Sequence, residues 1–133
     1  MIGWKKSFNK WYFWISGVVT ILGTLPSMLA PLRGTFLTMG IDFSDKISAL
    51  PLVGHWGIMV VGIGVLIFLS AKNKELRKHI IWYSLIEKTY LVGGGIWMYM
   101  QDPILGAGYN GAIVADSLQV LGGLFFLLVT RKE

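Results

Sequence analysis

The sequence predicts an all-α integral membrane protein, a four-helix bundle with both termini in the cytoplasm. Three observations support this fold class. Apolar residues make up 54% of the 133-residue chain and charged residues only 14%, whereas a soluble domain has about 25% charged residues. Four stretches have the length and apolar character of a helix that crosses a bilayer. Lysine and arginine cluster in alternate connections between these stretches, as is typical of membrane proteins.

The four predicted helices form a single transmembrane domain over residues 1–133. They span approximately 11–29, 51–71, 80–100 and 112–130. The first begins with the aromatic cluster 11–14, which is typical of a membrane interface. Ser16, Thr20 and Thr24 then recur every four residues, a spacing that lets helices approach closely in lipid. The apolar run is longer than that of a signal peptide, so we expect this helix to be retained.

The second and third predicted helices carry most of the glycines that suggest close helix contact. Gly54, Gly57 and Gly64 fall near one face of the second helix, which favours tight packing. The third helix contains the run 93–95, three glycines in succession. This run has two interpretations: a close-packing surface, or an unwound segment that exposes backbone to a cavity.

The distribution of basic residues predicts the orientation. If the chain crosses the membrane four times, nine lysines and arginines fall on one side of the membrane and two on the other, while Lys88 lies within a helix. The nine are Lys5, Lys6, Lys10, Lys72, Lys74, Arg77, Lys78, Arg131 and Lys132, and the two are Arg33 and Lys46. Because basic residues remain on the cytoplasmic side, both termini are predicted to face the cytoplasm.

Polar residues inside or beside the predicted helices form the candidate site, since ionisable groups in a membrane are functional candidates by default. They are Arg33, His55, Glu87, Lys88, Asp116 and Gln119. Helix positions place His55 and Asp116 near the outer face and Glu87 nearer the cytoplasm, so we expect no direct contact between Glu87 and Asp116. Glu87 is the better candidate for the interior, and Lys88 is expected to pair with a neighbouring helix or to extend towards headgroups.

Two interpretations of this set remain open. It is either a polar network that fixes helix packing, or a proton, ion or small-ligand site lined by His55, Glu87, Asp116 and Gln119. No residue is assigned a catalytic role. No metal site is predicted, because the chain has no cysteine and paired ligands at helical spacing are missing. Haem is not expected, since His55 is the one histidine predicted to lie inside a helix, and no cofactor is assigned.

The middle of the chain resembles a known group of proteins. The segment His55-Trp56-Gly57, an apolar helix, a basic loop and then Ile86-Glu87-Lys88 is similar to small bacterial four-helix membrane proteins of the DoxX-like and related uncharacterised families. The resemblance covers helices two and three, about half of the chain. It implies that an accessory role beside an oxidoreductase complex is plausible. The predicted location is the bacterial inner membrane.

Three functions are compatible with these observations. The first is an accessory or structural subunit of a larger membrane assembly, suggested by the small size and by glycines and aromatic residues suited to helix contacts. The second is an oligomeric transporter of protons, ions or small molecules that uses Glu87 and Asp116. The third is a membrane enzyme acting on a lipid or quinone, with His55 and Asp116 as acid and base. The expected partners are the lipid bilayer and other membrane protein chains or further copies of this chain. Nucleic acid is not expected to bind.

Overall fold

The computed structural model of the protein describes residues 2–43 and 45–130, and these are mostly helical, with no strand among them. The helices are α1 (Ile2–Leu29), α2 (Pro31–Met39), α3 (Leu50–Ser70), α4 (Lys74–Gln101), α5 (Pro103–Ala107) and α6 (Asn110–Thr130), and a 3-10 turn (Ile47–Ala49) precedes α3. The predicted all-α class is therefore confirmed. Arg131 and Lys132, which contributed to the predicted orientation, lie outside the described residues.

Three segments are long and apolar enough to cross a membrane: Ser7–Leu29, Ile47–Ser70 and Asn110–Thr130. They coincide with the first, second and fourth predicted spans. The third predicted span lies within α4, which has 28 residues but is not among the segments that qualify by length and composition. Its tyrosines, glycines and the charged pair Glu87 and Lys88 lower its apolar character.

Glycines bring α1 and α3 into backbone contact, and this is the most extensive helix pair in the molecule. A Cβ atom added at Gly17 would lie 2.6 Å from the backbone nitrogen of Phe68, and one added at Gly57 would lie 2.8 Å from that of Met28. Because no side chain fits in either place, these glycines set the distance between the two helices. Gly57, one of the three glycines predicted to favour tight contact, thus lies at the closest approach.

Two short helices fold back along the long helices that precede them. In α2, Gly34 lies against the backbone of Pro26, where an added Cβ atom would be 1.8 Å from the Pro26 carbonyl oxygen. In α5, Gly106 lies against Tyr99 in the same manner, with an added Cβ atom 2.2 Å from the Tyr99 Cα. The chain is therefore built as two similar halves, α1–α2–α3 and α4–α5–α6, each a long, a short and a second long helix.

The apolar core lies at the end of the molecule that carries the connection between α3 and α4. Its buried residues come from both halves and are Phe13, Ile67, Ala71, Ile80, Ile81, Leu85 and Phe126. Asn73 caps α4, since its side chain accepts a hydrogen bond of 3.0 Å from the Glu75 backbone N–H. Arg77 closes the end of α3 by donating to the carbonyl oxygens of Ser70 and Ala71, each at 2.7 Å.

Much of the large apolar surface points outward. Leu52, Leu118 and Leu128 are 72%, 66% and 68% exposed, and similar residues lie on all the long helices. A soluble protein rarely presents contiguous apolar surface on this scale. The outward leucines and the three apolar helices are together typical of a protein that has lipid as its solvent.

Candidate functional site

A buried ion pair joins α4 to α6. The Lys88 ammonium donates a hydrogen bond of 2.8 Å to Oδ1 of Asp116, and the two side chains are only 3% and 13% exposed. Oε2 of Glu87 lies 3.9 Å from the same ammonium. That oxygen is buried and has no hydrogen-bond partner among the described residues. The cluster therefore holds two carboxylates and one ammonium in a place shielded from solvent.

Gln119 extends this cluster to α1. Its amide nitrogen donates to Asp116 at 3.4 Å, and its amide oxygen accepts from the Thr20 hydroxyl at 3.2 Å. The Tyr12 hydroxyl also donates to the Gln119 backbone oxygen at 2.8 Å. The spacing of Thr20 and its neighbours was interpreted from the sequence as a surface for close helix packing, and Tyr12 was not identified. The four-residue spacing of hydroxyls on α1 was the available signal for a polar partner on another helix.

A cavity of about 300 Å³ lies beside the cluster. Glu87, Lys88, Asp116 and Gln119 form its charged and polar wall, and Thr20 and Thr24 add hydroxyl groups. The rest of the lining is largely apolar and comes from α1, α2, α3, α4 and α6: Val19, Leu22, Gly23, Pro26, Leu37, Thr38, Trp56, Val60, Leu91, Gly111, Ala112 and Ala115. Such a space can hold a small molecule whose polar end meets the ion pair and whose apolar end meets the apolar part of the lining.

Lys88, and not Glu87, occupies the interior position on α4. The buried face of α4 is formed by Ile81, Ser84, Leu85 and Gly95, and Lys88 falls on this face with only 3% of its side chain exposed. Glu87 is rotated from it by about 100° and lies at the edge, with 23% of its side chain exposed. Lys88 is therefore the more buried of the two, contrary to expectation, although Glu87 also lines the cavity described above. The expected pairing of Lys88 with a neighbouring helix is present.

The expected separation into an outer and an inner polar level is also absent. That expectation assumed that the last predicted helix begins level with the end of the third. Instead, α5 folds back on Tyr99, and Gly95 then packs against Tyr109 and Ile113. As a result, α6 begins beside a point about two turns before the end of α4, and not beside its end. This shift brings Asp116 to the level of Lys88.

Two predicted site residues lie elsewhere. His55 and Arg33 are exposed on α3 and α2, and neither belongs to the cavity lining. His55 was assigned by its depth along a predicted helix, and Arg33 by its place in a connection that borders the same membrane face. Neither fixes the direction in which a side chain points. Across the described residues, no group of three His, Asp or Glu side chains is placed to hold a metal ion.

The glycine run of α4 divides between two environments. The helix is continuous through all three glycines, so the unwound segment is not observed. Gly95 is buried against Ile113 and Tyr109, whereas a Cβ atom added at Gly93 or Gly94 would meet nothing within 4 Å. Packing inside the chain therefore explains one glycine of the three.

These features define an all-helical protein with apolar helices of membrane-spanning length and an internal cavity that has a charged wall. Comparisons with family models, curated proteins and solved structures found no match to the chain. The resemblance to DoxX-like proteins accordingly stays a prediction.

Proposed function

We propose that the chain crosses the bilayer four times as a four-helix bundle, with both termini in the cytoplasm of a bacterial cell. Three apolar segments support three of the crossings. The fourth is α4, whose 28 residues extend about 42 Å and which packs along α6. Its charged residue Lys88 is turned inward and neutralised by Asp116, so its outward surface presents no unpaired ammonium to lipid.

The orientation is testable with single cysteines, because the chain has none of its own. Ser48→Cys, before α3, is expected to react with a membrane-impermeant maleimide on intact cells. Lys72→Cys, after α3, is expected to react only once the membrane is permeabilised, since basic connections remain cytoplasmic. Both positions are exposed, so accessibility in the folded chain does not separate them. The reverse labelling pattern would contradict the orientation.

Within the membrane, the protein acts as an accessory or structural subunit of a larger assembly. The observation that carries this proposal is the outward face of α4. A Cβ atom added at Gly93 or Gly94 would meet nothing within 4 Å, so packing inside the chain does not explain why both positions are glycine, although each glycine destabilises a helix by about 1 kcal/mol relative to alanine. Flanking them, Tyr90 and Trp97 are 84% and 60% exposed. Small residues between aromatic side chains suit the close approach of a transmembrane helix from another chain.

A photo-crosslinking amino acid at position 97 tests this contact in native membranes. We expect one protein adduct of discrete mass from Trp97 and none from position 128 on α6, where Leu128 is similarly exposed. Combining Gly93→Leu with the photo-crosslinking amino acid at position 97 should abolish the adduct, because the leucine side chain fills the surface on which the partner helix would pack. The fold itself should persist, since a side chain at this position meets open space and leucine is a good helix former.

Two results would oppose the proposal. An adduct that persists unchanged with Gly93→Leu would mean that the glycines are not the contact. An adduct of twice the chain mass, identified as the chain itself, would replace the accessory role with self-association through α4.

A transporter is the second candidate, favoured by the cavity. Glu87 and Asp116 both line it, as a pathway for protons, ions or small molecules would require. The enzyme alternative lacks this support, since it needs His55 beside Asp116 and His55 lies outside the cavity lining.

A further inference from the structure

One carboxylate on the wall of the cavity lacks a close ionic partner. Lys88 is already paired with Asp116 at 2.8 Å, and Asp116 also accepts from Gln119. Glu87 is 3.9 Å from the ammonium, and its buried Oε2 has no hydrogen bond among the described residues. With all three groups ionised, the cluster carries one excess negative charge. A buried charge without compensation is strongly unfavourable, so a positive charge in the cavity would stabilise the site.

The apolar part of the lining indicates what should carry that positive charge. It includes Val60, Leu91 and the indole side chain of Trp56. An indole face attracts organic cations, an attraction that strengthens when water is excluded. A bare metal ion would need several oxygen ligands, and no three acidic or histidine side chains of the described residues are grouped to hold one.

The size and the opening of the cavity limit the ligand further. A volume of about 300 Å³ is at the lower end of small-molecule pockets. The rim residues Leu22 and Leu37 are 63% and 76% exposed, and Gly23 and Gly111 are also at the surface. The opening is therefore apolar. A ligand with an apolar body and one cationic group fits both the opening and the wall.

We propose that this cavity binds a small organic monocation with an apolar body, such as an aryl- or alkylammonium ion, with Glu87 as its counter-ion. Entry of the ligand from the lipid rests on the proposed topology, but binding of the ligand in the cavity does not. Failure of the α4 contact or of the orientation would leave this proposal standing, since the cavity lies inside the bundle and the α4 contact surface lies outside it.

Benzyltrimethylammonium is a suitable probe, since it joins one aromatic ring to one fixed positive charge. Its binding is measured by calorimetry on the full chain in nanodiscs of phosphatidylcholine, whose zwitterionic surface does not concentrate cations. We expect saturable binding by the natural sequence and none of benzenesulfonate, an anion of similar size. Glu87→Gln keeps the shape and removes the charge, and should weaken binding by about 30-fold or more.

Two further variants serve as controls. Glu75→Gln removes an exposed carboxylate from the same helix, outside the cavity, and should leave binding unchanged. Ala115→Leu, by contrast, fills the cavity without changing its charge and should abolish binding. Absence of saturable cation binding, equal affinity with Glu87→Gln, or preferential binding of benzenesulfonate would each overturn the proposal.

A second measurement uses the natural sequence alone and does not depend on folding of a variant. A hydrophobic carbodiimide modifies carboxyl groups in apolar surroundings, and mass spectrometry reports the fraction modified at Glu87. Benzyltrimethylammonium should slow this modification, whereas benzenesulfonate should not. Equal rates with and without the cation would show that it does not occupy the site.

Discussion

Asp116→Asn is expected to destabilise the protein by about 3 kcal/mol, because it removes a carboxylate from an ammonium that cannot reach solvent. Lys88 is 3% exposed and its shortest ionic contact is the 2.8 Å contact with Asp116. Breaking a buried pair by removing one partner typically costs about 3–5 kcal/mol. The lower end applies here, since Glu87 remains 3.9 Å away. Reversible unfolding in mixed micelles measures the change, and Glu75→Gln controls for the altered net charge.

The double variant Lys88→Met with Asp116→Leu separates an unpaired charge from general damage. Replacing both members of a buried pair by apolar residues of similar size is often neutral or stabilising. In a Glu87→Gln background, which leaves no carboxylate of the cluster unpaired when Lys88 is removed, we therefore expect the double variant to recover most of the loss seen with Asp116→Asn. If the double variant were as unstable as the single one, the ion pair would not be the reason for the loss.

Gly106→Ala is expected to have an effect of similar size, about 3 kcal/mol or more, because it overfills a contact between two backbones. The new Cβ atom would lie 2.2 Å from the Cα of Tyr99 and 2.6 Å from its nitrogen. The contact is with backbone atoms, which cannot move aside as a flexible side chain could, so α5 must separate from α4. Gly111→Ala is the matched control, since its Cβ atom meets nothing within 4 Å, and it should be neutral or slightly stabilising.

The same substitution should also weaken the ion pair at a distance, since the fold-back of α5 sets the height of α6 along α4. In a Gly106→Ala background, Asp116→Asn should therefore cost less than in the natural sequence. A double-mutant cycle measures this coupling. Strict additivity of the two losses would mean that α5 does not position Asp116.

The sequence was sufficient for the four long helices and insufficient for the two short ones and for the site. Long apolar runs and prolines such as Pro51 mark where helices form, because those signals are local. Lys88 illustrates the limit: its inward direction depends on which face of α4 the neighbouring helices cover, and Ile81 and Leu85 define that face. The level of Asp116 depends on five residues, Pro103–Ala107, which lie between two predicted helices and form a short helix of their own. His55 was assigned by depth and Arg33 by its place in a connection, and neither specifies direction.

The division into two halves determines how the cavity is enclosed. Inside each half, glycines such as Gly57 and Gly106 hold the helices by backbone contact, which permits almost no sliding. Between the halves, the apolar core fixes one end, while hydrogen bonds to Gln119 from Thr20 and Tyr12 bridge α1 and α6. The halves also meet at the end that contains the cavity, where a Cβ atom added at Gly40 would lie 3.1 Å from the Gly108 Cα. The cavity is therefore enclosed between contacts of the two halves at both of its ends, so a ligand has to enter from the side of the bundle.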